Sequence, residues 1–142
     1  MSTVMKFGVG QSVARKEDDR LTTGRGRYTD DMTLPGQAHA VLVRSPHAHA
    51  RIRGIDVTAA KAQKGVLAVL TGADLARDKL GQLPPVAGVT NRDGSTSAAP
   101  DNPLLKADMV RHVGDPVALV VAESLAIARD AADLVAVDYE PL

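Results

Sequence analysis

The chain has no cysteine. Disulfides, zinc–thiolate sites and thiolate-ligated iron–sulfur clusters are therefore excluded from it. Tryptophan is absent too, and only Phe7, Tyr28 and Tyr139 carry aromatic rings, 2% of the residues. Bases would find no stacking platform, and 17 basic residues balanced by 17 acidic ones give no net field to attract nucleic acid. No stretch approaches the ~20 apolar residues of a membrane span. The opening "MSTVMKFGVGQSVARKEDD" holds no apolar run of signal-peptide length. The expectation is a cytoplasmic protein with neither a membrane nor a nucleic-acid partner.

What the chain has in quantity is small aliphatic residues, within a hydrophobic content of 44%. At 142 residues it suits one domain, able to bury roughly 68–70% of its unfolded surface. A core of Val, Ala, Leu and Ile is thin. That composition predicts that some apolar surface docks onto another domain.

Residues 1–23 are polar and weakly patterned and read as an extended arm, with Glu17, Asp18 and Asp19 as a solvated acidic patch between basic residues. The Gly-, Thr- and Asp-rich "TGRGRYTDDMTLPGQ" reads as turns. "AHAVLV", Ala38 to Val43, is apolar on both faces and predicts a buried strand, interrupted by Pro46. In "ARIRGIDV" a second strand follows, and Gly54 shifts the apolar parity as a β-bulge would. "TAAKAQK" predicts a short helix with Asp56 or Thr58 as cap and Gly65 as terminator. Val66 to Leu70, "VLAVL", predicts an interior strand.

Residues 76–103, rich in Gly, Ser, Asn and Pro, predict a long mobile loop. Beyond it, "DMVRHV" and "VALVVA" read as strands separated by a "GDP" turn. Ser124 then caps the helix "LAIARDAADL", whose apolar stripe holds Leu125, Ile127, Ala128, Ala131, Ala132, Leu134 and Val135. "VAVDYE" closes as a last strand. Strands alternating with two short helices place the chain in the α/β (α+β) class.

The run "VRSPHAHARIR" contains His47 and His49, two apart as metal ligands on one strand face would be. If His47 lies in a strand, Arg51 and Arg53 share that face, and their charge disfavours a cation. His39 lies beyond Pro46, and a mononuclear zinc site needs three or four protein ligands. A solvated or partner-facing basic strand face is the better reading. "GRGRY" lacks the strand and helix that flank a phosphate loop. Asp30 and Asp31 diverge, and no Ser, His and Asp fall in a catalytic signature. No catalytic, cofactor-binding or metal residue is expected in this chain.

Taken together, these stretches are much more specific. "RKEDDRLTTGRGRYTDD", then "LPG", "RSPHAHARI", "KGV" (Lys64 in place of the usual proline) and "TGADL" closely resemble one family. It is the molybdenum-binding large subunits of xanthine dehydrogenase, aldehyde oxidase and carbon monoxide dehydrogenase type. "PLLKADMVRHVGDPVALVVAESLAIARDAADLVAVDYEPL" resembles the rest of the same domain, so only the segment around residues 80–100 falls outside. The resemblance implies an α/β-hammerhead over residues 24–142, a mixed sheet with two short helices packed on it. It implies a parent oxidoreductase that takes oxygen from water at a molybdopterin-bound molybdenum. Electrons then leave through iron–sulfur clusters to FAD on partner domains or subunits. The family's pterin-binding segments and catalytic glutamate lie downstream of this module, so none of these cofactors is expected to bind here. The chain is expected to be a structural and assembly module, either an expressed domain or a split subunit joined to a cofactor-binding chain. His49 matches the family's A-H-A step more closely than His47, and any role beyond packing is expected at an interface with those partner domains.

Two rival readings stand beside this one. A stand-alone carrier would need a lysine at a hairpin tip in an M-K-M or D-K-like context, and Lys61, Lys64, Lys79 and Lys106 have none. A small-ligand binding protein would need a pocket lined by aromatic or convergent polar groups, for which this chain has few aromatics.

Overall fold

The computed structural model describes residues 14–83, 89–97 and 102–142. Parts of the expected arm and of the expected loop, residues 1–13, 84–88 and 98–101, lie outside the described residues. Contacts divide the chain into two units, Met1–Pro35 and Gly36–Leu142.

In the first unit, the segment expected to be extended carries a helical turn, α1 (Asp18–Thr22). Asp18 and Asp19 occupy its first turn and Arg20 its last, the arrangement that complements a helix dipole. The Asp18 carboxylate also accepts the Arg15 N–H at 3.1 Å, satisfying one donor ahead of the helix. The acidic patch is thus a helix start rather than a featureless solvated run. Arg25 pairs with Asp19, and a 3-10 turn at Thr29–Asp31 follows.

The second unit holds two three-stranded sheets. Sheet A has the order β1 (His39–Arg44), β5 (Pro116–Ala122), β3 (Val66–Thr71). Sheet B has the order β4 (Met109–Val110), β2 (Ala50–Asp56), β6 (Ala136–Pro141). Every pairing is antiparallel, so the α/β class stands while the expected mixed sheet resolves into two antiparallel ones. The register of β2 against β6 slips between Ile52 and Gly54, the bulge that the apolar parity at Gly54 implied.

Three expectations are corrected. Ala38 to Val43 is not a buried strand: β1 is an edge of sheet A with no fully buried residue. Val66–Leu70 is not an interior strand: β3 is an edge of sheet A, with Val69 buried and Leu67 57% exposed. An all-apolar run signals burial on two faces, but it does not reveal which strand sits centrally. The central strand is β5, and Pro116 is tolerated as its first residue. Four α-helices, rather than two, are formed among the described residues. Besides α1, the addition is α3 (Gly72–Arg77), which occupies the start of the segment expected to be loop.

The α3 turn is set by its own residues. The Asp74 carboxylate accepts the Thr71 N–H at 2.8 Å and the Thr71 hydroxyl at 2.9 Å, closing the entry to the helix. These hydrogen bonds, aided by Arg77, hold the Asp74 carboxyl below its ordinary range. A depressed carboxyl contributes stability above its unfolded pKa of about 4 and loses it as pH falls through the lower folded value. Asp74→Asn is therefore expected to cost about 1 kcal/mol at pH 7. In urea melts, its gap from the wild type should close as pH falls below 4; a gap independent of pH would contradict the assignment.

The helices α2 (Thr58–Ala62) and α4 (Leu125–Asp133) cover one face of sheet A. Ser124 Oγ accepts the Ile127 N–H at 3.3 Å, so the expected α4 cap forms, whereas the α2 N-cap is Val57 and Asp56, one residue outside it, accepts the Thr58 N–H at 2.9 Å. Gly65 ends the α2 turn at φ 86°, a conformation that favours glycine. Ala60, Val69, Val120 and Ala131 form one core cluster under the helices. Ala50, Val110 and Val117 form a second, joined by Ile52, Ile55, Val137 and Tyr139. Of the α4 stripe, Ala128 and Ala131 are fully buried while Leu125 and Leu134 stay exposed at its ends. No helix among the described residues is long and apolar enough to cross a membrane.

Candidate functional site

The run "SPHAH" does not continue the strand on either side of it. Arg44 ends β1 and Ala50 begins β2, so His47 and His49 lie in the bend between them. The condition for a shared histidine–arginine strand face is not met. Pro46, which cannot donate to a ladder, sits where pairing stops.

The bend is closed by its own polar groups. Ser45 Oγ accepts the His47 N–H at 3.0 Å and donates to the His47 carbonyl at 3.2 Å. The His47 ring packs on Tyr139 of β6, with centroids 4.8 Å apart and planes tilted by 56°. Burial pushes the Tyr139 hydroxyl up, and the Ser45 hydroxyl works the other way. His49 is exposed, and its carbonyl accepts the Leu142 N–H at 3.1 Å, holding the end of β6 against the bend. One histidine is thus spent on an aromatic contact and the other on a backbone tether. Among the described residues, no group of three or more His, Cys, Asp or Glu side chains could hold a metal ion.

Beside this bend lies a charged centre that the sequence reading passed over. Asp115 is 2% exposed and Lys106 6%. One Asp115 carboxylate oxygen accepts the Arg111 N–H at 2.7 Å and the His112 N–H at 3.3 Å. The other lies 3.2 Å from His112 Nε2 and 3.9 Å from Lys106 Nζ. Lys106 Nζ also donates to Asn102 Oδ1 at 3.2 Å. On the backbone, Ser45 N–H donates to the Asp115 carbonyl at 2.9 Å and Gly114 N–H to the Ser45 carbonyl at 2.8 Å. Lys106 N–H reaches the Pro116 carbonyl at 2.8 Å. Asp115 therefore ties the exit of β1, some seventy residues away, to the stretch before β4 and the turn into β5.

Asp115 and Lys106 are both buried, while the His112 ring beside them is 74% exposed. The centre is a fastening. "GDP" reads only as a turn, and Lys106 only as a lysine without carrier context. The available signal was an aspartate directly ahead of the all-apolar β5, where a charge needs a partner.

A concavity of about 440 Å³ lies along the paired ends of β2 and β6. Gly54, Ile55, Asp56, Ala136, Val137 and Asp138 line it, so its charged groups are two carboxylates. A ligand carrying phosphate would be repelled there.

The family described as aldehyde oxidase and xanthine dehydrogenase, a/b hammerhead domain, matches residues 23–142. The nicotine 6-hydroxylase large subunit of Paenarthrobacter nicotinovorans is 48% identical over 134 residues, 94% of this chain and 16% of its own length. The xanthine dehydrogenase molybdenum-binding subunit of Escherichia coli O157:H7 is 38% identical over 84% of this chain and 15% of its own. The crystal structure of quinoline 2-oxidoreductase from Pseudomonas putida 86 superposes with a TM-score of 0.78 at 47% identity. That match covers 97% of this chain and 17% of the solved one. The chain thus spans about one sixth of the length of these relatives. It belongs to the α/β-hammerhead domain family of aldehyde oxidase and xanthine dehydrogenase.

Proposed function

We propose that this chain is the structural and assembly module of a molybdopterin-dependent hydroxylase, whose reaction centre lies on other domains or chains. The observation that carries this reading is coverage. Nearly all of this chain matches, but only about one sixth of each relative is represented in it. The Escherichia coli relative is named as a molybdenum-binding subunit, so molybdenum chemistry is the natural activity of the whole. The described residues at the 440 Å³ concavity do not fit that cofactor: they offer Asp56 and Asp138 to a group that carries phosphate, and Asp115 is already satisfied by backbone N–H groups. Iron–sulfur clusters and FAD would sit on partner domains or subunits, in keeping with a chain free of cysteine. The assembly would be cytoplasmic.

The purified chain is expected to contain no molybdenum by elemental analysis and to reduce no dye with aldehydes, purines, N-heterocycles or carbon monoxide. Stoichiometric molybdenum or substrate-dependent dye reduction would overturn the reading.

A further inference from the structure

Among the described residues, one face of sheet A leaves its central rows unburied. Pairing puts Ala40, Val121 and Ala68 in one row across the three strands, and Leu42, Leu119 and Leu70 in another. Side chains alternate along a strand, so these rows face away from the row of Val41, Val120 and Val69 beneath the helices. All six residues are aliphatic. None is buried: Ala40 and Leu42 are exposed and the other four are half-buried. On the helix side, by contrast, Val69 is 2% exposed and Val120 0%. A solvated antiparallel sheet ordinarily places polar residues on its open face. This one places none in its two central rows, and Arg44 stands only at the end of β1.

We infer that this face is the docking surface for the remainder of the large subunit, an uncharged aliphatic surface on the molybdenum-binding portion. The inference rests on the assembly-module reading above and deepens it. Two observations select this occupant. The relatives carry about five sixths of their length beyond the part matched here, so a hammerhead of this family has a large neighbour to meet. The six residues of the two rows hold no charge and no hydrogen-bonding side chain, with Arg44 at the end of β1 turned to the Gly114 carbonyl, which fits an extended apolar contact between domains. The core built from valine and alanine supplies the physical motive, since apolar area left open within the unit is covered on assembly.

The test uses the full-length Paenarthrobacter nicotinovorans nicotine 6-hydroxylase large subunit, expressed with its partner subunits, with its matched segment exchanged for this chain. Hydroxyl-radical footprinting reads Leu42 and Leu119 in the chimera and in the free chain. The inference expects a molybdenum-loaded chimera in which Leu42 is at least tenfold less reactive than in the free chain. Leu42→Lys should lower molybdenum loading of the chimera at least tenfold while leaving the melting temperature of the free chain within about 2 °C. A loaded chimera with Leu42 as reactive as in the free chain overturns the docking face and leaves the module reading standing. Concentration-dependent protection of Leu42 in the free chain, with none added in the chimera, assigns the face to a second copy and also overturns it. A chimera that takes up no molybdenum, where the parent subunit does, overturns the module reading and this inference with it.

Discussion

Asp115→Ala is expected to be the most damaging single change in the chain. It removes the acceptor for two backbone N–H groups and leaves Lys106, 6% exposed, without its carboxylate. Removing one partner of a buried pair costs about 3–5 kcal/mol, because the remaining charge stays desolvated and uncompensated. For a domain of this length that corresponds to a fall in melting temperature of roughly 10–15 °C. Asp115→Asn can keep one oxygen to accept both N–H groups while losing the charge opposite Lys106, and should lose less. The double change of Asp115→Ala with Lys106→Met should recover part of the loss, since no charge is then stranded. Urea and thermal melts of the three variants check this. Equal losses in Asp115→Ala and in the double variant would show that the carboxylate acts through the backbone alone and that its pairing with Lys106 contributes nothing.

The second large effect is expected at Gly72, the first residue of α3. A Cβ built there would lie 2.8 Å from the Ala107 Cβ, 3.1 Å from the Ala107 Cα and 3.1 Å from the Leu105 carbonyl oxygen. Two of those three atoms are backbone, so no flexible side chain can swing aside. The reason for glycine is close approach: the segment ahead of β4 crosses directly over the helix start. Gly72→Val must push that segment away, and overpacking of this kind costs about 2–3 kcal/mol. Lys106 lies next to Ala107, so the displacement should also slacken the Asp115 centre. Gly72→Val and Asp115→Ala are therefore expected to be less than additive when combined, by about 1 kcal/mol. Full additivity would mean that the two sites are independent.

The strands, the α4 helix and its Ser124 cap were legible because each has a local cause. Ser124 stands directly before an apolar stripe, Gly65 ends the α2 turn, and Gly54 breaks a parity that can be counted by eye. The helix α3 had a comparable signal in the Thr71–Asp74 pair, but it lay at the edge of a Gly- and Pro-rich stretch that read as loop. Sheet order was not legible. "VLAVL" and "VALVV" are alike in composition, and only the pairing partners, dozens of residues away, make one an edge and the other the centre. The Asp115 centre failed to show for the same reason. Its members are joined through the fold, and neither "GDP" nor "LLKAD" announces a partner. The bend at His47 was half legible: Pro46 marked the break, while the contact with Tyr139 requires β6 to come alongside.

The strand pairing has a consequence for how such a chain is made. No strand of either sheet pairs with its neighbour in sequence: β1 and β3 both wait for β5, and β2 waits for β4 and β6. During synthesis, roughly the first hundred residues emerge without any complete ladder, and the cheap local step of closing a hairpin between successive strands is missing. The open edges and aliphatic rows of β1 and β3 are then presented to the surrounding solution until "VALVV" leaves the ribosome. Sheet A cannot close before β5 arrives, nor sheet B before β6, so both ladders of this topology form late.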